Sequence, residues 1–197
     1  MNKKVIRDYI RLFSALIFFI LYVPHIFAYC VKWSARKKIQ SDLFAIDVYS
    51  NLRLKNILLM LLYQLHNNRW FRTLFYYRVG PIFSVLISWI RPGDKTFMIS
   101  FNTSIGEGMR IAHSYASVIN AESIGKNFSM LHCTTIGEKN GKSPKIGDNV
   151  TLGANVIIIG DVKVGNNVVI GAGSVVVKDI PDNCVAVGNP CRPIKSI

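Results

Sequence analysis

Two histidines in the second half of the chain, His113 and His132, are spaced in a way that could bring them into one site. They are 19 residues apart, and one coil built from three hexapeptide repeats takes about 18 residues. We therefore expect them nearly above one another on neighbouring coils. A neutral imidazole can accept a proton from a hydroxyl group, so the pair indicates general-base chemistry. The alternative is that both are ordinary polar residues at corners of the fold.

A six-residue repeat is the element that must position these histidines. Aliphatic residues recur at every sixth position, namely Ile146, Leu152, Ile158, Val164, Ile170 and Val176. Neither a helical period of 3.6 residues nor a strand period of two produces this spacing. It is typical of a parallel β-helix, in which three hexapeptides form a triangular coil and the repeated aliphatics stack inside. We predict this mainly-β fold for residues 96–197.

The repeat is less regular before Ile146. Ile105 and Ile111 lead two repeats, the phase then slips by one residue, and Val118 leads the next. His113 lies at this slip, where the backbone leaves its regular path. Further along the chain, ten residues instead of six separate the repeat leader Ile136 from Ile146, and the extra residues are polar. We expect a projecting loop there, since insertions in repeat proteins often gather on a functional face.

The first half of the chain is basic and apolar. Residues 1–95 carry fifteen Lys or Arg and four Asp or Glu, a net charge of +11, whereas residues 96–197 carry nine and seven, a net charge of +2. Residues 12–31 contain no charged side chain, a length that suits a bilayer-spanning helix, and basic residues flank both ends. We predict that residues 1–40 associate with membrane lipids.

Four arrangements of this uncharged run remain open. The run could form a straight span, or a helix bent at Pro24 that returns to the same face of the membrane. It could be a signal peptide, although no small-residue cleavage site closes it. It could also be a buried helix in an oligomer core.

Residues 41–95 are predicted to be α-helical, ending at a turn at residues 91–94. Arginines and aromatic residues mix at helical spacing in residues 69–78, which suits either a lipid headgroup boundary or packing inside a helix bundle. No nucleic-acid recognition motif accompanies the positive charge, so we expect no nucleic-acid partner. The cysteines and histidines lack metal-binding spacing, so we expect reduced cysteines and no metal site.

Several segments together resemble the hexapeptide acyltransferases of the serine O-acetyltransferase family. The likeness is closest to the branch that serves bacterial exopolysaccharides, including the colanic acid acetyltransferases. It covers residues 97–195 and is carried by residues 111–120, 135–137, 143–147, 171–176 and 187–190. The resemblance implies a homotrimer of left-handed β-helices that binds acetyl-CoA in a groove between subunits. It also implies that His113 is the base that takes the acceptor's proton while the oxygen attacks the thioester.

The chain departs from the serine-specific pattern at three positions. Ala112, Ser143 and Met98 stand where the serine enzymes carry ionisable groups. A sugar needs only neutral hydrogen bonds, which Ser143, Tyr115, Asn102 and His132 could supply. The acceptor implied is therefore a saccharide or lipid-linked glycan. Candidates for orienting His113 are Glu107, Glu122 or a backbone carbonyl, and the sequence does not choose among them.

The resemblance also implies the groups that bind acetyl-CoA. Ala154 and Ala172 match turns at which small side chains let the pantetheine arm approach the backbone. Lys178 and Arg192 are the cations best placed for the nucleotide phosphates. The sequence thus predicts an acetyl-CoA-dependent sugar O-acetyltransferase at the cytoplasmic face of the bacterial inner membrane. The alternatives are a serine O-acetyltransferase and a non-catalytic β-helix scaffold.

Overall fold

The computed structural model describes residues 3–47, 52 and 54–197, and the chain divides into two compact units, Met1–Asp94 and Lys95–Ile197. Residues 1–2 of the predicted membrane-associating segment lie outside the described residues. So do residues 48–51 and 53 of the predicted helical region. A helical unit precedes a parallel β-helix, which confirms the predicted fold class.

The first unit is built from short helices. They are α1 (Lys3–Ile17), a 3-10 helix (Phe19–Tyr22), α2 (Val23–Val31), α3 (Trp33–Asp47), α4 (Ile57–Asn67), α5 (Arg69–Val79) and α6 (Pro81–Ile87). Asn56 begins α4 and Asn68 begins α5, each accepting hydrogen bonds from backbone N–H groups of the first turn. Gly80 ends α5 at φ 87°, a left-handed conformation that favours glycine, and Pro81 then opens α6.

The uncharged run bends before the proline rather than at it. No single described helix is both long and apolar enough to cross a bilayer, and only α1 taken together with residues 19–31 meets that requirement, with a bend of 74° between the two. The break falls at Phe18, whereas Pro24 lies in the first turn of α2. Proline is tolerated there because the first N–H groups of a helix have no partner inside the helix. The predicted bend at Pro24 was therefore misplaced, and the structure has no straight helix over residues 12–31.

Most aromatic and basic residues of α5 lie inside the unit, whereas Arg69 at the start of the helix is exposed. Phe71, Phe75 and Tyr76 are buried, and so are the two arginines Arg72 and Arg78. The charges are tolerated because each guanidinium finds partners in the interior. Arg78 makes a bidentate pair with Asp42 at 2.8 and 3.1 Å, and Arg72 donates to the carbonyl of Leu65 at 2.7 Å. Packing inside a helix bundle is therefore confirmed for the buried side chains of this segment, and the headgroup interpretation stays a prediction for its exposed part.

A buried histidine links α2 to α5. The imidazole Nε2 of His25 lies 2.9 Å from the hydroxyl of Tyr76, which donates to the carbonyl of Arg91. Burial, followed by repulsion from the Arg72 guanidinium, lowers the pKa of His25 to about 4. Because this pKa lies well below 7, the imidazole of His25 is neutral in the folded unit at neutral pH.

Acidification is expected to destabilise the helical unit through His25. In the unfolded chain an ordinary histidine binds a proton below pH 6.5, whereas folded His25 resists protonation down to about pH 4. The unfolded state therefore binds more protons in that window, and stability is lost as the pH falls, by about 2 kcal/mol at pH 5. Thermal unfolding followed by circular dichroism at pH 7 and pH 5 measures this loss.

His66, whose pKa is also lowered by burial, contributes in the same direction, so His25→Gln should reduce the pH dependence without abolishing it. An unchanged pH dependence in that variant would contradict the assignment.

The second unit is a coil of three parallel sheets. Its strands are β1 (Phe97–Ile99), β2 (Ser104–Ile105), β3 (Arg110–Ile111), β4 (Ser117–Ile119), β5 (Ser123–Ile124), β6 (Ser129–Met130), β7 (Thr135–Gly137), β8 (Lys145–Ile146), β9 (Thr151–Leu152), β10 (Ile157–Ile159), β11 (Lys163–Val164), β12 (Val168–Ile170), β13 (Val175–Val176), β14 (Cys184–Val187) and β15 (Arg192–Ser196). Sheet A has the order β1-β4-β7-β10-β13, sheet B β11-β8-β5-β2, and sheet C β15-β14-β12-β9-β6-β3. Only β15 is antiparallel to its neighbour. The chain passes from A to B to C and back, so each coil has an A–B, a B–C and a C–A corner.

The predicted inward row is confirmed where the repeat is regular. All six aliphatic leaders from residue 146 to residue 176 are buried. They pair along the sheets as predicted for stacked coils, for example Ile158 with Val176 in sheet A and Leu152 with Ile170 in sheet C. The B–C corner is held by an asparagine ladder in which Asn149 donates to Asn167 at 2.9 Å, and both residues have φ near 56°, a conformation that asparagine tolerates.

The predicted leader Val118 is wrong by one position. Ile119, not Val118, is fully buried and pairs with the inward Ile136 of the next coil. Counting from Ile111, the chain takes eight residues to reach this inward position instead of six. It then takes only five residues to reach Ile124, which pairs with Ile146. An insertion of two residues followed by a deletion of one produces the net slip of one seen in the sequence.

Candidate active site

The C–A corner stacks one residue from each coil in a column. In the three later coils this residue stands two positions after the last residue of the coil's strand in sheet C. It is His132, then Ala154, then Ala172. Backbone hydrogen bonds connect the column: Asn155 N–H donates to the carbonyl of His132 at 2.9 Å, and Gly173 N–H donates to the carbonyl of Ala154 at 2.9 Å. The predicted acetyl-CoA turn residues thus lie in one column with one of the two histidines.

Tyr115 takes the position in this column that His113 was expected to take. Cys133 N–H donates to the carbonyl of Tyr115 at 3.0 Å, as Asn155 does to His132 one coil further on. The rings of Tyr115 and His132 are stacked, with centroids 4.9 Å apart and planes 11° apart. His113 and His132 are on neighbouring coils of the same corner, as predicted, but the ring directly against His132 is that of Tyr115.

The two inserted residues of the first coil are His113 and Ser114. His113 is exposed and has φ 52°, and Ala116 at the end of the same turn has φ 51°. Non-glycine residues in this region carry strain of about 1–3 kcal/mol, which the surroundings must hold in place. Thr96 does so here, because its hydroxyl and carbonyl accept from the N–H groups of Ala116 and Ser117 at 3.1 and 2.9 Å. The corner therefore carries the imidazole on an ordered turn that projects from the coil.

Small side chains keep the rest of the C–A corner open. Ala154 and Ala172 are preceded by glycines, and a methyl group at Gly153 would lie 2.6 Å from the backbone nitrogen of Ala172. The coils could not stack at this spacing with any larger residue. A long, narrow ligand could therefore lie along the column with its polar atoms near the backbone.

A second group of predicted residues lines a cavity at the A–B corner. Asn102 and Ser143 both contribute to a cavity of about 400 Å³, together with Glu122, Glu138 and Asp161. These carboxylates already have partners. Glu122 pairs with Lys145 at 3.0 Å, Asp161 pairs with Lys142 at 2.5 Å, and Glu138 accepts from the N–H of Gly141 at 3.1 Å. The remaining hydrogen-bonding side chains of the lining, Asn102, Asn120 and Ser143, are neutral.

A neighbouring cavity of about 550 Å³ lies between the projecting loop and sheet A. Its floor is the outward-facing side of the sheet, with Ile157, Ile159, Val175 and Val177, and its rim contains Lys139, Asn140, Lys142 and Asp161. The Lys142–Asp161 pair is common to both cavities. The loop beside both cavities is the ten-residue interval predicted to be functional. Across this loop the backbone groups of Lys139 and Lys142 form hydrogen bonds with each other.

The remaining predicted residues are dispersed. Lys178 is exposed at the A–B corner of the last coil, and Arg192 is exposed at the start of β15, where it pairs with Val187. Glu107 lies at the B–C corner beside Lys126, 3.3 Å away, and Glu122 lies at the A–B corner. By their positions along the coil, neither glutamate is at the C–A corner that carries His113.

One chain does not bring all the predicted site residues together. His113, Tyr115, His132, Ala154 and Ala172 are at the C–A corner, whereas Asn102, Ser143 and Lys178 are at the A–B corner. The strands of sheet A join these corners, and three residues of strand extend over about 10 Å. Among residues 3–47, 52 and 54–197, no group of three His, Cys, Asp or Glu side chains could hold a metal ion.

The sequence missed the apolar cavity floor and the Lys142–Asp161 pair. The floor could have been found from strand alternation, because Ile157 and Val175 each precede an inward leader by one position and must point outwards. The ion pair joins a loop residue to a residue 19 positions later, and no local pattern predicts such a contact.

Comparison with known proteins identifies relatives of this architecture. The family described as bacterial transferase hexapeptide (six repeats) matches residues 143–178. A protein of Escherichia coli (strain K12) named as a colanic acid biosynthesis acetyltransferase, WcaB, is 46% identical over 100 residues, which are 49% of this chain and 62% of that protein. The chain thus spans less than two thirds of the length of this relative.

Two solved structures extend the likeness beyond the repeats. Soybean serine acetyltransferase without ligand is 30% identical with a TM-score of 0.65, over 82% of this chain and 69% of that one. The Neisseria gonorrhoeae serine acetyltransferase solved in complex with serine is 28% identical with a TM-score of 0.68, over 84% of this chain and 71% of that one.

Proposed function

Because this chain belongs to the hexapeptide-repeat transferases, we propose that it transfers an acetyl group from acetyl-CoA to a hydroxyl of a saccharide or lipid-linked glycan. The observation that carries this proposal is the projecting turn of His113, which presents an imidazole beside a column of small residues. Positive φ angles also occur at the regular corners of the coil, for example at Cys133 and Asn155, so what distinguishes His113 is its place on the two residues inserted into this corner.

His113 is the general base in the proposed reaction. It takes the proton of the acceptor hydroxyl while the oxygen attacks the carbonyl carbon of the thioester. The carbon–sulfur bond then breaks, and the imidazolium returns the proton to the departing sulfur. The products are an acetyl ester and CoA with a free thiol, and His113 is neutral again. His132, held against the ring of Tyr115, is positioned to hydrogen-bond the acceptor or the reacting oxygen.

The division of the candidate residues between two corners supports a homotrimer. A ring of three copies can place the C–A corner of one copy against the A–B corner of the next, since a heterologous interface closes into a ring. The site would then combine His113 and Ala154 of one copy with Asn102 and Ser143 of its neighbour. Acetyl-CoA would lie between the copies, with its pantetheine arm along the small-residue column and over the apolar floor of the larger cavity. Lys178 and Arg192 are the proposed contacts of its phosphates.

The acceptor is proposed to be a saccharide because the free hydrogen-bonding groups of the A–B cavity are neutral. Serine carries an ammonium and a carboxylate, each of which needs a charged partner in a narrow site. The carboxylates of the cavity are already engaged, and Ala112, Ser143 and Met98 add no charge. L-serine is the second candidate acceptor, favoured by the likeness to a serine acetyltransferase solved with serine.

A competition experiment tests the acceptor. Purified full-length protein receives labelled acetyl-CoA with either L-serine or members of a glycan panel that includes lipid-linked oligosaccharides. We expect kcat/KM for the best glycan to exceed that for serine by at least about 100-fold, because an unpaired charge in the site is costly. A higher value for serine would make the chain a serine acetyltransferase. No transfer to any acceptor, combined with no binding of acetyl-CoA, would favour the scaffold.

A further inference from the structure

Helix α1 turns its apolar side outwards. Ile6, Ile10, Phe13 and Ile17 follow one another at helical spacing, and they are between 39% and 65% exposed. The buried positions of the same helix include Asp8 and Ala15. A surface helix of a soluble protein normally buries its apolar stripe against the core. In α1 the stripe is left without a partner in its own unit.

The exposed apolar surface continues beyond the bend. Residues 18–21 of the connecting segment are exposed, as are Val23, Phe27 and Val31 on one side of α2. Helix α6, which packs beside α2, adds Ile82, Val85 and Leu86, and the turn after it adds Trp89; these side chains are 61–78% exposed. Scattered exposed hydrophobic residues are ordinary, but a contiguous series of this length marks an interaction surface. These residues, together with the α1 stripe, are called the apolar face below.

The interior of the unit shows why the face cannot simply fold inwards. The space behind these helices is filled by large side chains such as Tyr22 and Phe75 and by hydrogen-bonded polar groups. The ion pair of Asp42 and Arg78 and the hydrogen bond between His25 and Tyr76 are buried within the unit. A well-packed core with its own polar network has no room for further apolar side chains. The apolar face therefore needs an external partner.

The charges around the face indicate which partner this is. Residues 1–40 contain eight basic residues and one acidic residue, and the acidic one, Asp8, is buried. Lys3, Arg7 and Arg11 are exposed on α1 beside the apolar stripe. A second copy of the chain, docked through a twofold axis, would bring these basic residues against each other. An anionic lipid surface supplies the opposite charge and attracts the basic residues that lie near it.

Two tryptophans of the helical unit have strongly exposed side chains. Trp33 and Trp89 are each 78% exposed, and the guanidinium of Arg36 lies over the ring of Trp33 at 4.7 Å. Tryptophan and arginine together are typical of the membrane–water boundary, because the ring is apolar while the N–H and the guanidinium stay wet. The ammonium group of Lys32 lies over the ring of Phe83, a residue of α6, 5.5 Å from the ring centroid.

We propose that the apolar face inserts into one leaflet of an anionic bilayer without crossing it. Helix α1 has 15 residues and so is about 22 Å long, which is shorter than the roughly 30 Å of the hydrocarbon core. The chain bends by 74° after α1, so α1 and residues 19–31 do not form one straight span. If the proposed reaction is correct, this surface is the cytoplasmic face of the inner membrane, where acetyl-CoA is available and lipid-linked glycans are concentrated in two dimensions.

Flotation with vesicles tests the proposal on the full chain. The protein is exchanged from detergent into vesicles of phosphatidylcholine, with or without phosphatidylglycerol, and centrifuged through a density gradient. We expect flotation with the anionic vesicles and a strong decrease as salt is raised. The double variant Ile10→Glu and Phe13→Glu should bind at least about 100-fold more weakly, since it replaces two apolar side chains of the apolar face with charged ones. Ile194→Glu, an equally exposed position on β15, is the matched control and should float like the parent.

The outcomes separate this proposal from its rivals. A parent chain that stays at the bottom of the gradient with both kinds of vesicle overturns it. So does a lipid-free oligomer, seen by sedimentation, that the double variant disperses, because the face would then bind a second copy. An amino-terminal tag protected from protease inside sealed vesicles would show a span and overturn the one-leaflet arrangement. The double variant should keep its activity towards a soluble acceptor, so failure of lipid binding and failure of the proposed reaction are distinguishable.

Discussion

The substitution His113→Ala is expected to lower kcat by a factor on the order of 10²–10⁴ while the protein remains folded. Without the imidazole of His113 the C–A corner keeps that of His132, but this ring is stacked on Tyr115 in the column and does not lie on the projecting turn. Acetyl-CoA affinity should change little, since the small residues along the column are untouched. Steady-state kinetics and equilibrium binding of acetyl-CoA measure the two quantities separately.

The turn itself provides the control for this prediction. His113 has φ 52°, a conformation that asparagine adopts more readily than alanine does. His113→Asn should therefore preserve the turn while removing the base. Both variants should lose activity to a similar extent, but only His113→Ala should show a small decrease in thermal stability. Near-normal kcat in the asparagine variant would show that the position supports the turn and is not the base.

The regular part of the fold was predictable because the residue at every sixth position must meet the same requirement in each repeat. Ile146 and the five leaders after it must be apolar because they are buried inside the coil, whereas the corner residues must tolerate tight turns. The first coil was harder to predict for a reason of arithmetic. Two residues are gained at His113 and Ser114 and one is lost between Ile119 and Ile124, so the sequence shows only their difference.

The candidate site was predictable in its residue types but not in its contacts. Spacing brings the two histidines to the same corner, but it does not show that Tyr115 takes the place above His132. The same limit applies to α5, where composition alone suits both a headgroup boundary and an interior. The decision depends on Asp42, which lies 36 residues before its partner Arg78. Long-range pairs of this kind have no local signature.

Deleting residues 139–142 is expected to abolish transfer while leaving the β-helix intact. The ten-residue interval between Ile136 and Ile146 becomes six, which is the spacing of the neighbouring regular coils. The deletion removes the loop wall of both A–B cavities, including Lys142 and its pair with Asp161. We expect kcat/KM to fall by a factor of at least about 100, as for loss of substrate positioning. Circular dichroism should show unchanged β structure, and a deletion variant with normal kcat/KM would exclude the loop from the site.

Mixing the two inactive proteins tests whether neighbouring copies share the site. His113→Ala removes the C–A contribution of a copy, and the deletion of residues 139–142 removes its A–B contribution. If subunits mix at random in equal amounts, half the copies supply an intact C–A corner and half of their neighbours supply an intact A–B corner. About a quarter of the sites in a closed ring would then be complete. Refolded or co-expressed mixtures should therefore recover about a quarter of the parent activity, although each variant alone is nearly inactive. If each site lay within one copy, every copy in the mixture would be defective and the mixture would stay inactive, so the absence of recovery despite confirmed mixing would contradict the shared site.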